Sequence, residues 1–431
     1  MTLKFTLILY ICPVITSYEE QNMDENEILI ERPVYINEIK GFIDRPFVKV
    51  ITGIRRSGKS QLLKLIRKEI SERIDKDHII DMNFEKSEFF DIKSYIELSN
   101  YVEERMKDKN KYYIFLDEVQ EVEGWEKAVN SLRLMKTDIY VAGSNSKLLD
   151  TDYSSLLGGR TVNFTMYPLS FKEFIRFRKE CGITDDIDID RYIRLGGFPA
   201  VSMFDYSERE AIRIVTDIYN TALFRDVVKK NSVKNPQLMD KIVAFLCDNV
   251  GNMVSPLSIT NYLKSQGRKG TDPETIVNYL RYLEEGFIVR RAQRYDIKGK
   301  RLLETNDKYY LTDHSLQYAV RDIRADKIQG ILENIVYMEL VRRGYKVYVG
   351  RFDSREVDLV AEKTDGQKIY VQVCLEFSAA EVYEREFAPL KEIDDNFPKY
   401  VVSMDKYAER NDEGVVGIHL RDFLLSDDSV F

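Results

Sequence analysis

Between Phe47 and Ala142 the chain alternates short, nearly unbroken apolar runs with longer stretches of helical spacing. Phe47-Val48-Lys49-Val50-Ile51-Thr52 runs into Gly53, and Gln61 to Ile70 carries apolar residues three and four apart. That succession predicts a strand, a tight turn and a helix. Further strands are predicted at His78 to Phe84, Tyr112 to Leu116 and Asp138 to Ala142, with a helix from Ile92 to Met106. Alternating strands and helices imply a parallel sheet, so this part of the chain reads as α/β.

The pattern changes after Arg160. Thr161 to Met166 predicts a last sheet strand, and a mostly helical stretch follows Pro168 through about Lys230. Three helical patterns occupy the region from about Asn235 to Val320, the second opening at Ser255-Pro256 and the third at Asp272-Pro273-Glu274. Two short strands, Ile288 to Tyr295 and Lys308 to Leu311, flank the basic turn Lys298-Gly299-Lys300-Arg301. Three helices and a hairpin in that order predict a helix-turn-helix with a wing. A helix from Gly330 to Arg343 and strands at Lys346 to Val349, Glu356 to Ala361 and Lys368 to Cys374 form a last α/β unit. The expected organisation is an extension at 1–29, a parallel-sheet core at 30–166, a helical lid at 167–234, a winged helix at 235–325 and an α/β domain at 326–431.

Length agrees with several units, since 431 residues exceed one ordinary core. With 44% hydrophobic and 32% charged residues the chain is not disordered in bulk. A net charge of -8 opposes nonspecific coating of nucleic acid, which needs clustered cations, but permits a local basic face. Cys12, Cys181, Cys247 and Cys374 form no CxxC pair, and His78, His314 and His419 are equally dispersed, so neither zinc nor a disulfide framework is indicated. A reducing compartment fits this cysteine usage.

The chemistry lies at the ends of the predicted strands. Gly53-Ile54-Arg55-Arg56-Ser57-Gly58-Lys59-Ser60 fits G-x-x-x-x-G-K-[ST] at every fixed position, with a strand leading in and a helix leading out. In such a loop, backbone N–H groups wrap phosphates and the helix N-terminus adds about half a positive charge. Lys59 is expected to reach the β and γ phosphates of ATP, and Ser60 to place its hydroxyl on Mg²⁺. Tyr112 to Leu116 then runs into Asp117 and Glu118, an apolar strand ending in two carboxylates. Asp117 is expected to hold the Mg²⁺ shell and Glu118 to orient and deprotonate the attacking water. Without the loop upstream, the same residues would read as a buried strand entering an acidic turn.

The next strand ends at Gly143-Ser144-Asn145-Ser146, and its polar end should abut Asp117. Ser144 or Asn145 is therefore a candidate contact for the γ-phosphate or the lytic water, against the plain reading of a small polar turn. Arg160, after Gly158-Gly159, is a candidate cation for charge developing there, in cis or toward a neighbouring subunit. Arg55 and Arg56, inside the loop, rank behind it.

Together these residues resemble a family of bacterial and archaeal AAA-type ATP-binding proteins of largely unknown role, over most of the chain from about Ile30. The marks are Thr52 to Ser60, Phe115-Leu116-Asp117-Glu118-Val119-Gln120, Gly143 to Ser146, Pro168-Leu169-Ser170-Phe171 and Gly196-Gly197-Phe198-Pro199. The resemblance implies an AAA-like core and lid, a winged helix and a C-terminal domain similar to restriction-endonuclease folds. Homo-oligomerisation is expected of such cores. In the last domain Glu333, Asp358 and Gln372-Val373-Cys374 stand where active nucleases carry acids and an acid-x-Lys element. Gln372 and Cys374 leave a carboxylate ligand and a cation missing there, which predicts a noncatalytic module.

Duplex DNA is a candidate partner through the helix Glu274 to Glu285 and Arg290, Arg291, Arg294, Lys298, Lys300 and Arg301 near the wing; Glu274, Glu284 and Glu285 count against it. The leading expectation is an ATPase that uses ATP and Mg²⁺ to drive or gate a conformational change. A slow nucleotide-dependent DNA-binding switch is the alternative, and an ATP-controlled nuclease stands third. The apolar run Leu3 to Ile15 resembles a secretion signal and is too short to span a bilayer. Because an ATP site is useless outside the cell, an over-extended start with translation from Met23 is favoured, and the protein is expected in the cytoplasm with no membrane partner.

Overall fold

The computed structural model describes residues 28–144, 157–183, 189–267, 272–321, 327–406 and 408–426. The extension up to residue 27, with the alternative start Met23, lies outside the described residues, as does Asn145.

Helix α1 (Pro33–Lys40) precedes strand β1 (Val48–Thr52), the loop at Gly53 and helix α2 (Lys59–Ser71). Strand β2 (Ile79–Asn83), helix α3 (Tyr95–Arg105), strand β3 (Tyr112–Asp117), helix α4 (Trp125–Leu132) and strands β4 (Thr137–Gly143) and β5 (Thr161–Thr165) follow. The five strands form one sheet in the order β2-β3-β4-β1-β5, and every pairing is parallel. β1 and β3 are buried at every position, as their near-continuous apolar sequences require of strands covered on both faces. The exceptions inside are Lys49 and Asp138, wholly buried on β1 and β4, which neutralise one another. Serine caps make several helix starts predictable, with reciprocal Ser94–Glu97 and Ser170–Glu173 boxes opening α3 and the helix Phe171–Glu180.

Beyond β5, helices Phe171–Glu180, Ile189–Leu195 and Glu208–Thr221 run into a π-helical segment, Ala222–Lys229. Helices Pro236–Asp248, Pro256–Ser265 and Pro273–Glu285 come next, then the antiparallel hairpin of β6 (Val289–Asp296) and β7 (Arg301–Leu311). After helix Ile328–Arg342 come β8 (Lys346–Phe352), β9 (Arg355–Glu362), β10 (Lys368–Cys374), β11 (Lys399–Ser403), β12 (Arg410–Asp412) and β13 (Val415–His419).

Here the structure departs from the expected domain plan. The hairpin and the C-terminal strands form one eight-stranded sheet, β12-β13-β11-β10-β9-β8-β6-β7, and β6 pairs in parallel with β8 through Arg294 and Val349. The boundary at residue 325 therefore cuts across a continuous sheet. The hydrophobic core on one side of that sheet runs without a break from Ile30 through the helical region to Leu424. The lid is part of this body: the Arg342 guanidinium donates to the Pro168 carbonyl and Lys172 to that of Ser426.

Two of the short motifs are structural joints of the same body. The Leu169 N–H donates to the Gly197 carbonyl at 2.6 Å, while the Gly197 N–H donates to the buried Asp313 carboxylate at 2.9 Å. A Cβ at Gly197 would lie 2.3 Å from the Leu169 oxygen, so glycine is required by close approach.

Candidate functional site

Parallel strands place their C-terminal ends together, and here those ends gather the residues expected to handle a nucleotide. Gly53 leaves β1 at φ 146°, where a Cβ would lie 2.0 Å from the Met166 oxygen; Gly58 precedes α2 at φ 105°. Both glycines let the backbone turn in a way other residues resist. Lys59 is buried, and its ammonium donates to the carbonyls of Gly53 at 2.9 Å and Ile54 at 3.1 Å. The loop thus holds its lysine against its own backbone, and burial pulls the Lys59 pKa down. The Ser57 hydroxyl, in the same loop, is buried with no hydrogen-bond partner among the described residues.

At the end of β3, Asp117 faces this loop. The Ser60 hydroxyl hydrogen-bonds to its carboxylate, and Asn83 at the end of β2 donates to it at 2.9 Å. Burial pushes the Asp117 carboxyl up to about 6. A buried carboxylate bonded to the serine that follows the P-loop lysine is the oxygen donor set that suits a small hard cation. Glu118 adopts the left-handed conformation at φ 54°, ψ 40°, which is strained for a side chain of its kind. Its carboxylate accepts from the Gln120 amide, and the Arg55 guanidinium lies 4.0 Å away.

Arg55 is the best-connected residue of the loop. It reaches Asp226 at 3.1 and 3.3 Å and Glu85 at 3.0 Å, whereas Arg56 is exposed with φ 65°. Asp226 belongs to the π-helical segment and also accepts from the Ser144 hydroxyl at 2.8 Å, at the end of β4. The register of β3 on β4 sets Asp117 opposite Ala142, two residues before Ser144.

Arg160 does not join this group. Thr161 pairs with Val48 and Thr165 with Thr52, so Arg160 stands at the opposite end of the sheet, about 16 Å along the strand from the loop. The cis role expected of Arg160 is corrected by that register. Asn83, Glu85 and Asp226, which sequence reasoning missed, carry no local signature, and Asp226 lies far downstream of the loop it contacts.

Beside Ser57 and Gly58 an apolar cavity of about 120 Å³ is lined by Ile30, Leu62, Leu65, Met166, Phe177 and Met203, among others. It opens between the loop and the helical region, next to the buried Arg32, which ion-pairs with Glu173 and donates to the Ser57 carbonyl at 3.0 Å.

The C-terminal cluster is assembled too, with one change. Glu333, Asp358 and Gln372 lie together, and Lys308 of β7 enters among the acids, 2.8 Å from Glu333, 2.6 Å from Glu356 and 3.7 Å from Asp358. A cation from the hairpin thus stands among these acids. Gln372 receives the Asp358 N–H and donates to Glu386 at 3.1 Å. Among the described residues no group of acids, histidines and cysteines is arranged to hold a metal ion.

The basic residues on and near the β6–β7 hairpin are largely committed. Arg290 donates to the Tyr167 hydroxyl at 2.8 Å and Arg291 to Asp307 at 2.7 Å, while Lys298 and Arg301 pair with Asp353 and Asp296. No helix among the described residues is long and apolar enough to cross a membrane.

Comparison with known proteins agrees with the core. A family model described as an AAA domain matches residues 45–175, and one described as a domain of unknown function matches residues 186–327. An uncharacterized protein of Haemophilus influenzae is 37% identical over 405 residues, covering 93% of this chain and 100% of the relative. One of Methanocaldococcus jannaschii is 29% identical over 395 residues, covering 87% and 86%. Among solved structures, a Walker-type ATPase of Pyrococcus abyssi is similar at a TM-score of 0.48 and 16% identity, covering 69% of this chain and 97% of that one.

Proposed function

Because this chain belongs to one family with its Haemophilus influenzae relative and matches an AAA domain over residues 45–175, we propose that it is a Mg²⁺-dependent ATPase whose turnover moves the helical region packed on the nucleotide loop. The observation that carries this reading is the convergence of Lys59, Ser60, Asp117 and Glu118 at one end of the parallel sheet.

In this reading the backbone N–H groups from Gly53 to Ser60 cradle the phosphates, and Lys59 exchanges its two carbonyl partners for phosphate oxygens. Ser60 and Asp117 would hold Mg²⁺, the Asp117 carboxylate already meeting the Ser60 hydroxyl at the end of β3. Bound ATP and Mg²⁺ supply the electrophilic phosphorus and neutralise its oxygens. Glu118 orients the lytic water and accepts its proton, with Arg55 and Gln120 holding the carboxylate in place. The apolar cavity beside Gly58 takes the base. Movement follows from Asp226, which ties Arg55 and Ser144 to the π-helical segment, so a change at the loop reaches the helices directly. Arg160 has a role only toward a neighbouring copy.

The DNA-binding switch ranks second because Arg290, Arg291, Lys298 and Arg301, four of the cations it would use, are paired within the protein. Binding of fluorescent ATP with Mg²⁺, to wild type and Lys59→Ala, with and without duplex DNA, separates the readings. The expected outcome is Mg²⁺-dependent binding weakened at least about ten-fold by the substitution and indifferent to DNA. Affinity that rises with DNA favours the switch, and wild type that binds no ATP sinks both.

A further inference from the structure

The motif Pro168-Leu169-Ser170-Phe171 has no part in the nucleotide site, yet the helix it opens, Phe171–Glu180, forms one wall of a cavity of about 390 Å³. The other walls are α1, the helix Ile328–Arg342 and Ser426, which follows the helix Leu420–Leu425. Tyr35, Ile36 and Ile39 anchor α1 in the core of the parallel sheet, whereas the remaining walls share the core of the helical and C-terminal regions. The cavity therefore lies across the junction of the two.

Its lining sets four cations, Lys172, Arg176, Arg342 and Arg343, against two carboxylates, Glu173 and Glu339. Glu173 is neutralised from beneath by Arg32, which holds both its oxygens at 2.7 and 2.8 Å. Glu339 gives Oε1 to Arg343 at 2.8 Å, and its Oε2 is buried with no hydrogen-bond partner among the described residues. Arg342 donates from Nε to the Pro168 carbonyl at 3.1 Å, and its terminal nitrogens make no hydrogen bond among the described residues. Its side chain is nonetheless only 9% exposed, with Nη1 standing 4.0 Å from Glu339 Oε2.

A guanidinium presents two parallel donors that match the oxygens of a single anionic group, and burying them unmet is costly. The excess of cations over carboxylates in the lining favours a doubly charged phosphate monoester over a carboxylate. Beside the fork, Glu339 Oε2 is an acceptor that suits a hydroxyl on the same small molecule. Pro33 and Val34 give its carbon skeleton an apolar side.

We propose that this cavity binds a small hydroxylated phosphate monoester, its phosphate on Arg342 and a hydroxyl on Glu339, and that its occupancy changes the affinity of the loop Gly53 to Ser60 for nucleotide. The link is Arg32: the guanidinium that holds Glu173 also donates to the carbonyls of Ser57 at 3.0 Å and Tyr167 at 2.9 Å. Tyr167 adjoins Pro168, the residue that Arg342 holds, so a ligand drawing on Arg342 acts on the same short stretch of chain that Arg32 ties to the loop. Coupling of this kind is reciprocal. The anion site stands apart from the nucleotide-site reading, and the coupling rests on it.

The test is calorimetric titration of full-length protein with glycerol 3-phosphate and with methyl phosphate, which lacks the hydroxyl. Lys59→Ala removes the phosphate affinity of the loop and is expected to change glycerol 3-phosphate binding at the distant cavity less than about two-fold. Arg342→Lys keeps the charge and loses the fork, and weakens binding about ten-fold or more. Val34→Asp, at an exposed position of the first turn of α1 where a carboxylate does not disturb the fold, weakens it about three-fold by repulsion. In Glu339→Gln the amide oxygen stays with Arg343 and the nitrogen cannot accept, so the preference for glycerol 3-phosphate over methyl phosphate falls. Wild type that binds neither probe, or binding lost in Lys59→Ala and kept in Arg342→Lys, overturns the anion site. Saturating glycerol 3-phosphate is expected to shift the ATP affinity of wild type about two-fold or more and that of Arg342→Lys not at all; no shift in wild type overturns the coupling. Wild type that takes glycerol 3-phosphate and no ATP overturns the nucleotide-site reading and the coupling while upholding the anion site.

Discussion

Burial pushes the Glu284 carboxyl up to about 7, against the pull of Arg291 and Arg290. A folded-state pKa above the unfolded value means that the native chain holds this proton more tightly, so its contribution to stability is present below about pH 4 and lost as pH rises through 7. Glu284→Gln is therefore expected to raise stability by about 1–3 kcal/mol at pH 8 and to change it little at pH 5. Urea unfolding at the two pH values checks this, and an equal effect at both would refute it. The same residue scale decides how much of the site was legible. The loop Gly53 to Ser60 and the pair Asp117-Glu118 could be read because their chemistry is written in consecutive residues after an apolar strand. Asn83, Glu85 and Asp226 reach the site across the fold, and nothing in their neighbours announces it. Arg160 misled because its glycine-rich setting does not say at which end of a strand it falls, and only the pairing of Thr161 with Val48 does.

At the scale of elements, the strands of the first sheet were predicted almost to the residue, since runs buried on both faces admit few other readings. Helix α4 was missed: it has only 8 residues and opens after Gly124 with no serine or aspartate cap. β7 was predicted as Lys308 to Leu311 and begins at Arg301, because its basic start pairs with Asp296 and Tyr295 of β6 where local sequence suggested only a turn. That strand carries Lys308 into the acids of the C-terminal unit. Lys308→Met would strand Glu333, whose carboxyl burial already pushes up to about 7, beside Glu356 and Asp358. A loss of about 3 kcal/mol is expected at pH 8, smaller at pH 6 where Glu333 takes up a proton, and partly recovered by adding Glu333→Gln. Denaturant melts of the single and double variants test it; a neutral single variant at pH 8 would show that Lys308 is not the clamp.

For the whole molecule, the succession of segments was readable and their grouping into units was not. Helical spacing and turns mark segments along the chain, whereas the pairing of β6 with β8 is a long-range contact that no local pattern reports. The result is two bodies in place of four: a parallel sheet that carries the loop and both carboxylates, and a larger body in which the helical region, hairpin and C-terminal strands share a core. They meet where Asp226 holds Arg55 and Ser144 and where Arg32 links the Ser57 carbonyl to Glu173, so a cycle of binding and hydrolysis has direct contacts through which to act. Whether such a cycle exists turns on Glu118. The deciding measurement is steady-state phosphate release from ATP with Mg²⁺ by wild type and Glu118→Gln, with ATP binding measured on both. Turnover by wild type, reduced about a hundred-fold or more in Glu118→Gln while binding persists, is the predicted result. Equal turnover in the two proteins, or none in wild type that binds ATP, would contradict the role given to Glu118 and the ATPase reading built on it.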